Sequence, residues 1–273
     1  MDIYFSLFFF IFGTCWGSFT NVLIDRTQKK RSIKGRSKCD FCGVVLKWFD
    51  NVPVLSFLFL GGHCRECKKK LSWQYPIVEL STGAVFLLTF KIIQQAGIFN
   101  VYSSGFWDVF SLVYYFGVVY LLWVILIWDL KYMIIPDFII TVGVVLTFVY
   151  KFYEIFIFKG SWLSIDFPLT DGLLGAVVLG GFFALMYWKS KGKWIGGGDV
   201  KLGFWLGLMA GIKMVYFLIL FAYTSGALVA ILLLIFKSKK MKSEIPFGPF
   251  LVLGSYLVIF YQEMILKIWH SLI

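Results

Sequence analysis

Eight predominantly apolar runs dominate this chain, and a helix needs about 20 such residues to cross a hydrocarbon core roughly 30 Å thick. The runs cover residues 3–24, 77–93, 109–128, 138–158, 173–188, 200–212, 214–236 and 250–268. The sixth is the shortest. Gly211 and Lys213 separate it from the seventh, and without that break residues 202–236 would form one stretch too long for a single crossing. The pattern predicts an all-α, polytopic transmembrane helical bundle of about eight spans. Composition agrees: 60% of residues are hydrophobic and only 15% charged, which excludes an ordinary soluble domain.

The charge that remains is unevenly spread. The net charge is +11, and twelve Lys and Arg residues lie between Arg26 and Lys70. Basic loops stay cytoplasmic, so this loop is expected there. The first run has no basic segment before it and ends at Asp25-Arg26 without a small-residue cleavage site, so it reads as a retained span. With the amino terminus outside, eight spans put residues 26–70, 129–137, 189–199 and 237–244 on one side. The Lys-rich segments 189–193 and 237–242 then obey the charge rule independently. The expected division is a first span over 1–24, a cytoplasmic loop over 25–76, and a membrane bundle over 77–273. The lipid bilayer is the expected surrounding, and no nucleic-acid partner is expected.

Four of the five cysteines sit in the basic loop as Cys39-Asp-Phe-Cys42 and Cys64-Arg-Glu-Cys67, twenty-one residues apart. Each pair can grip one face of a metal, and two pairs complete a tetrahedron, for which Zn2+ is the default ion. Disulfides are not expected on the reducing side of a membrane. Four thiolates leave no position for water, which points to a structural metal; unmetallated thiols or a redox dithiol are the other reading. A loop this small buries little core, so metal binding is expected to fold it. Cys15, inside the first run, reads as a packing residue.

Acids at span ends are costly and invite a functional reading. Trp128-Asp129-Leu130-Lys131 closes the third run, and Gly196-Gly197-Gly198-Asp199-Val200-Lys201 opens the sixth. Two carboxylates brought together do not both ionise easily, so such a pair can act as acid and base on one water. Gly196 and Gly198 would let backbone approach a substrate closely. The plainer readings are a solvated helix end for Asp129, an N-cap for Asp199 and a helix cap for Asp137. Lys131 and Lys201 read as interface anchors.

Several further motifs occur in order: Gly17-Ser18-Phe19-Thr20-Asn21-Val22, Phe49-Asp50-Asn51-Val52-Pro53 between the cysteine pairs, Tyr75-Pro76-Ile77-Val78-Glu79, the segment Asp129 to Asp137, and Ile245-Pro246-Phe247-Gly248-Pro249. Together with the cysteines and the Gly-Gly-Gly-Asp sequence, they make the chain resemble the bacterial prepilin leader peptidase/N-methyltransferase family over nearly its whole length. The resemblance implies an aspartyl peptidase of the GxGD type, with Asp129 and Asp199 as catalytic residues. It implies prepilin or pseudopilin substrates, cut at the cytoplasmic face of the bacterial inner membrane in support of a pilus, type II secretion or a competence fibre. It further implies methylation of the new amino terminus with S-adenosylmethionine. No glycine-rich nucleotide turn of the soluble methyltransferase type is present, and Glu79 is the residue expected to bind that cofactor or accept the amine's proton; pairing with a basic loop residue is its structural alternative. A non-catalytic scaffold, with the cysteine loop docking a partner, is the competing reading of the whole.

Overall fold

A computed structural model of the chain describes residues 2–97, 105–157, 167–236 and 245–272. The Lys-rich segment 237–242 lies outside them. The chain divides into two compact units, residues 1–98 and 99–273. Among the described residues all extended regular structure is helical, and the only β pairing is two isolated bridges.

The first unit pairs two long helices, α1 (Asp2–Gln28) and α3 (Gln74–Gln95), with a loop between them that contains the short helix α2 (Leu55–Phe59). Small residues set how closely α1 and α3 approach. A Cβ on Gly17 would stand 2.7 Å from the Glu79 Cα, and one on Gly83 2.8 Å from the Thr14 side chain. Inside a bilayer apolar burial gives helices no reason to associate, so backbone proximity and interhelical hydrogen bonds take its place. Asn21 provides the latter: its Nδ2 donates to the Tyr75 carbonyl at 3.2 Å, and its Oδ1 accepts from Gln74 Nε2 at 3.3 Å. Cys15, expected to pack, is exposed instead, because the α1 face that meets α3 is the one bearing Gly13 and Gly17.

The second unit holds α4 (Phe106–Tyr132), α5 (Asp137–Ile157), α6 (Pro168–Ser190), α7 (Gly197–Ala210), α8 (Ile212–Ile235) and α9 (Gly248–Leu272). Within the described residues each of the eight apolar runs therefore centres on a helix of its own. Six of these helices, α1, α3, α4, α5, α6 and α8, are long and apolar enough to cross a membrane. With 14 residues, α7 extends only about 21 Å and falls short. Gly211, at φ 75°, ends it where the sequence predicted a break, and the Asp171 carboxylate accepts the first free N–H of α8, from Ile212, at 3.1 Å. Short α7 is nonetheless central. It crosses α6 with Gly175 against Gly207, backbone to backbone, and buries Trp205, whose Nε1 donates to Thr147 Oγ1 of α5 at 2.9 Å.

Candidate active site and metal centre

Asp129 occupies the last turn of α4 and is only 5% exposed. The helix stops just beyond it because Met133 turns left-handed at φ 54°, returning its N–H to the Asp129 carbonyl at 2.8 Å, and because Pro136 disfavours helix before it. The Asp129 carboxylate accepts the backbone N–H of Gly248. A side chain at 248 would place its Cβ 2.5 Å from Asp129 Oδ2, so the Pro-Phe-Gly-Pro segment needs glycine for contact with the acid.

Asp199 enters from α7. It is not the N-cap: Gly196 holds that position, and Asp199 reaches back one turn from the third helical residue to accept the Gly196 N–H at 3.1 Å. The two acids come together through Ile135, a buried residue of the Asp129–Asp137 segment. A Cβ on Gly198 would lie 3.1 Å from the Ile135 Cβ, and one on Gly248 would lie 3.4 Å from its Cδ1. Three motifs far apart in sequence thus meet at one side chain, and Asp199 stands within electrostatic reach of Asp129.

Neighbouring groups complete the site. Lys201, expected to anchor at the interface, donates to both oxygens of Asp137 at 2.8 and 2.7 Å. That ion pair ties α7 to the start of α5, which four residues separate from the end of α4. Lys131 stays exposed, its ammonium 5.1 Å above the Tyr132 ring. Tyr223 of α8, which sequence reading did not single out, also lies within electrostatic reach of Asp199, with its ring 5.1 Å from that of Phe247. Nothing in the sequence marked it, since α8 carries a second tyrosine, Tyr216, as well.

The four cysteines form a second centre, in the first unit. Their sulfur atoms all lie within 4.8 Å of one another, and the Sγ atoms of Cys39 and Cys67 are 3.9 Å apart. Tetrahedral Zn–S bonds of about 2.3 Å require sulfurs about 3.8 Å apart, so the arrangement fits a metal ion. The two pairs are built alike. Gly43 N–H donates to the Cys39 carbonyl at 2.9 Å and Cys39 N–H to the Val44 carbonyl at 3.0 Å; Lys68 N–H donates to the Cys64 carbonyl at 3.1 Å and Cys64 N–H to the Lys69 carbonyl at 2.9 Å. The residue after each pair is left-handed, Gly43 at φ 71° and Lys68 at φ 57°. Backbone N–H groups of Cys67 and Glu66 pull the Cys64 thiol down to about 7, which favours the ligating thiolate. Asp50 braces the loop from the Phe49–Pro53 motif, accepting Arg65 Nε at 2.9 Å and the Lys47 N–H at 3.2 Å.

Glu79 is buried at 7% exposure, and its Oε2 accepts the Val54 N–H at 2.7 Å. It pairs with backbone and with Ser18, not with a basic loop residue. Val54 itself sits at φ 61°, ψ −51°, inside a tight turn closed by Leu55 N–H to the Pro53 carbonyl at 2.6 Å. A β-branched residue there is strained, and strain of this kind collects at functional sites.

The fold and the paired acids define a class: a polytopic membrane protein whose helix bundle brings two aspartates together. Comparison with known proteins narrows it. Residues 11–93 match the Bacterial Peptidase A24 N-terminal domain, and residues 116–231 match the Type IV leader peptidase family. Among the curated relatives named prepilin leader peptidase/N-methyltransferase, the Bacillus subtilis protein is 30% identical over 95% of this chain and 96% of its own length. The Vibrio cholerae protein is 28% identical over 96% and 98%. The Myxococcus xanthus protein is 33% identical over 85% of this chain and 64% of its own length. No solved structure gives a significant match. The chain belongs to the type IV leader peptidase family.

Proposed function

We propose that this protein removes the leader peptide from type IV prepilins or pilin-like precursors at the cytoplasmic face of the inner membrane, and then methylates the exposed amino terminus. The observation that carries the reading is the meeting of Asp129 and Asp199, on α4 and α7, around Ile135 and Gly248. In this reading the pair shares one proton. The ionised carboxylate takes a proton from water as the water oxygen attacks the scissile carbonyl carbon, and the protonated partner gives its proton to the departing amide nitrogen. Glycines 196 to 198 leave room for the substrate backbone.

The basic loop supports the orientation, since positive loops stay inside and a precursor's leader must meet the acids on the same side. Zn2+ is the metal that best suits four thiolates, and its role here is structural. S-adenosylmethionine would supply the methyl group. Glu79, held by Val54 and Ser18, is the residue proposed to face that cofactor's cationic groups or take the proton of the amine. The relatives' names join both activities in one protein, and that supports the pairing. Whether the product serves a pilus, type II secretion or a competence fibre depends on the precursor supplied.

The test uses purified protein, a membrane-inserted precursor and S-adenosylmethionine, with mass spectrometry of the precursor's amino terminus. The proposal predicts loss of the leader followed by a gain of one methyl group. An intact precursor would defeat the peptidase assignment, and a cut but unmethylated one would defeat the second activity alone.

A further inference from the structure

The second unit contains an ionisable cavity that the peptidase reaction does not use. Asp129 ends α4 and Asp199 begins α7, whereas Tyr114 lies fifteen residues earlier on α4, about 22 Å away along the axis. Met209 lies at the other end of α7 from Asp199. At that far end of the bundle a cavity of about 380 Å³ opens among α4, α5, α6, α7 and α9, a volume typical of small-molecule sites.

Its chemistry is mixed in charge. Lys151 is 8% exposed and pairs with Glu154 at 2.9 Å, and Asp171 of α6 lies within electrostatic reach of Lys151. Tyr114 and Tyr150 stack face to face with centroids 3.7 Å apart, and Gln262 of α9 contributes a further polar side chain. Val258 and Ile259 supply apolar wall beside them. Of the charged groups Lys151 is the buried member, and a lysine held inside a membrane bundle is costly to insert and marks a ligand or ion path; Glu154 and Asp171 stand half-buried beside it, near the end of α5 and the start of α6. Lys151 has three N–H donors and Glu154 occupies one in the geometry shown.

We infer that this cavity binds the headgroup of a zwitterionic aminophospholipid, phosphatidylethanolamine in chemical type, from the leaflet opposite the catalytic aspartates. The phosphate would take the remaining donors of Lys151 and the side-chain amide of Gln262, while the tyrosine hydroxyls stay on their protein partners, Tyr150 on Ser111 at 3.4 Å. The primary ammonium would take Glu154 and Asp171, and the start of the acyl chains would lie on Val258 and Ile259. The headgroup chemistry sets a selectivity. Phosphatidylglycerol offers no cation to the two acids, and phosphatidylcholine offers one that cannot donate a hydrogen bond.

The experiment measures lipid retention by native mass spectrometry of the full chain, from nanodiscs holding equal amounts of the three lipids. The expected result is at least fivefold preferential retention of phosphatidylethanolamine, falling to under twofold in Lys151→Gln/Glu154→Gln. Should that double variant not fold, Gln262→Leu, which leaves the Lys151–Glu154 ion pair in place, is expected to reduce the preference at least twofold. Equal retention of the three lipids by the native chain would overturn the inference, as would an undiminished preference in the variant measured. Soluble O-phosphoethanolamine that displaced the lipid at equal concentration would assign the cavity to a free phosphate ester and overturn the lipid assignment.

Discussion

At the scale of single residues the account rests on two acids and the glycine that touches one of them. If Asp129 and Asp199 share a proton, Asn at either position removes an indispensable partner, and cleavage should fall by about 10²- to 10⁴-fold. The double variant should be little worse than either single one, because the two act as a unit. Gly248→Ala makes a finer prediction. Its new Cβ would stand 2.5 Å from Asp129 Oδ2, inside contact distance, and a misplacement of about 1 Å at a reacting group costs up to about 100-fold. A cleavage assay on well-inserted protein checks all of these. Asp129 and Asp199 were legible in sequence because each is an acid at a span end within an Asp-x-Lys pattern. Gly248 was visible only as part of a motif, since its role lies in a contact with a residue more than a hundred positions away. Tyr223 was not visible at all.

At the scale of elements, the cysteine loop was the most legible part, because two CxxC pairs dictate their own geometry. Cys39→Ser or Cys64→Ser should lower the metal content from one ion per chain to near zero, since three ligands hold much less well than four. Elemental analysis of the purified protein under reducing conditions decides it. The ion pair between Lys201 and Asp137 was not legible, because each residue had a sufficient local explanation as an anchor or a cap. Both side chains are more than half exposed, so the pair is expected to contribute no more than about 1 kcal/mol. Asp137→Asn should therefore leave thermal stability almost unchanged, and any loss of cleavage it causes reflects positioning of α7 against the end of α4. The short α7 was foreseen as the shortest run, and Gly211 supplies the reason: a left-handed break followed at once by α8.

At the scale of the whole molecule the two units suggest a division of labour. Asp129 and Asp199 belong to the second unit, while the cysteine loop and Glu79 belong to the first. Glu79→Gln should leave leader removal largely intact while reducing methyl transfer. Asp129→Asn should abolish methylation of an intact precursor but spare that of a precut one, because the amine to be methylated exists only after cleavage. Among the described residues the eight long helices could be read from the apolar runs and the Gly211 break between two of them, yet pairwise packing could not, since it depends on contacts such as Gly175 with Gly207 and Trp205 with Thr147. The most direct test of the central claim is the rate at which folded, membrane-inserted Asp199→Asn protein cuts a prepilin-like precursor, read by mass spectrometry of the precursor's amino terminus. The account predicts cleavage reduced at least about 100-fold with the fold retained. Cleavage near the native rate would contradict it and favour a scaffold in which the aspartate only caps its helix.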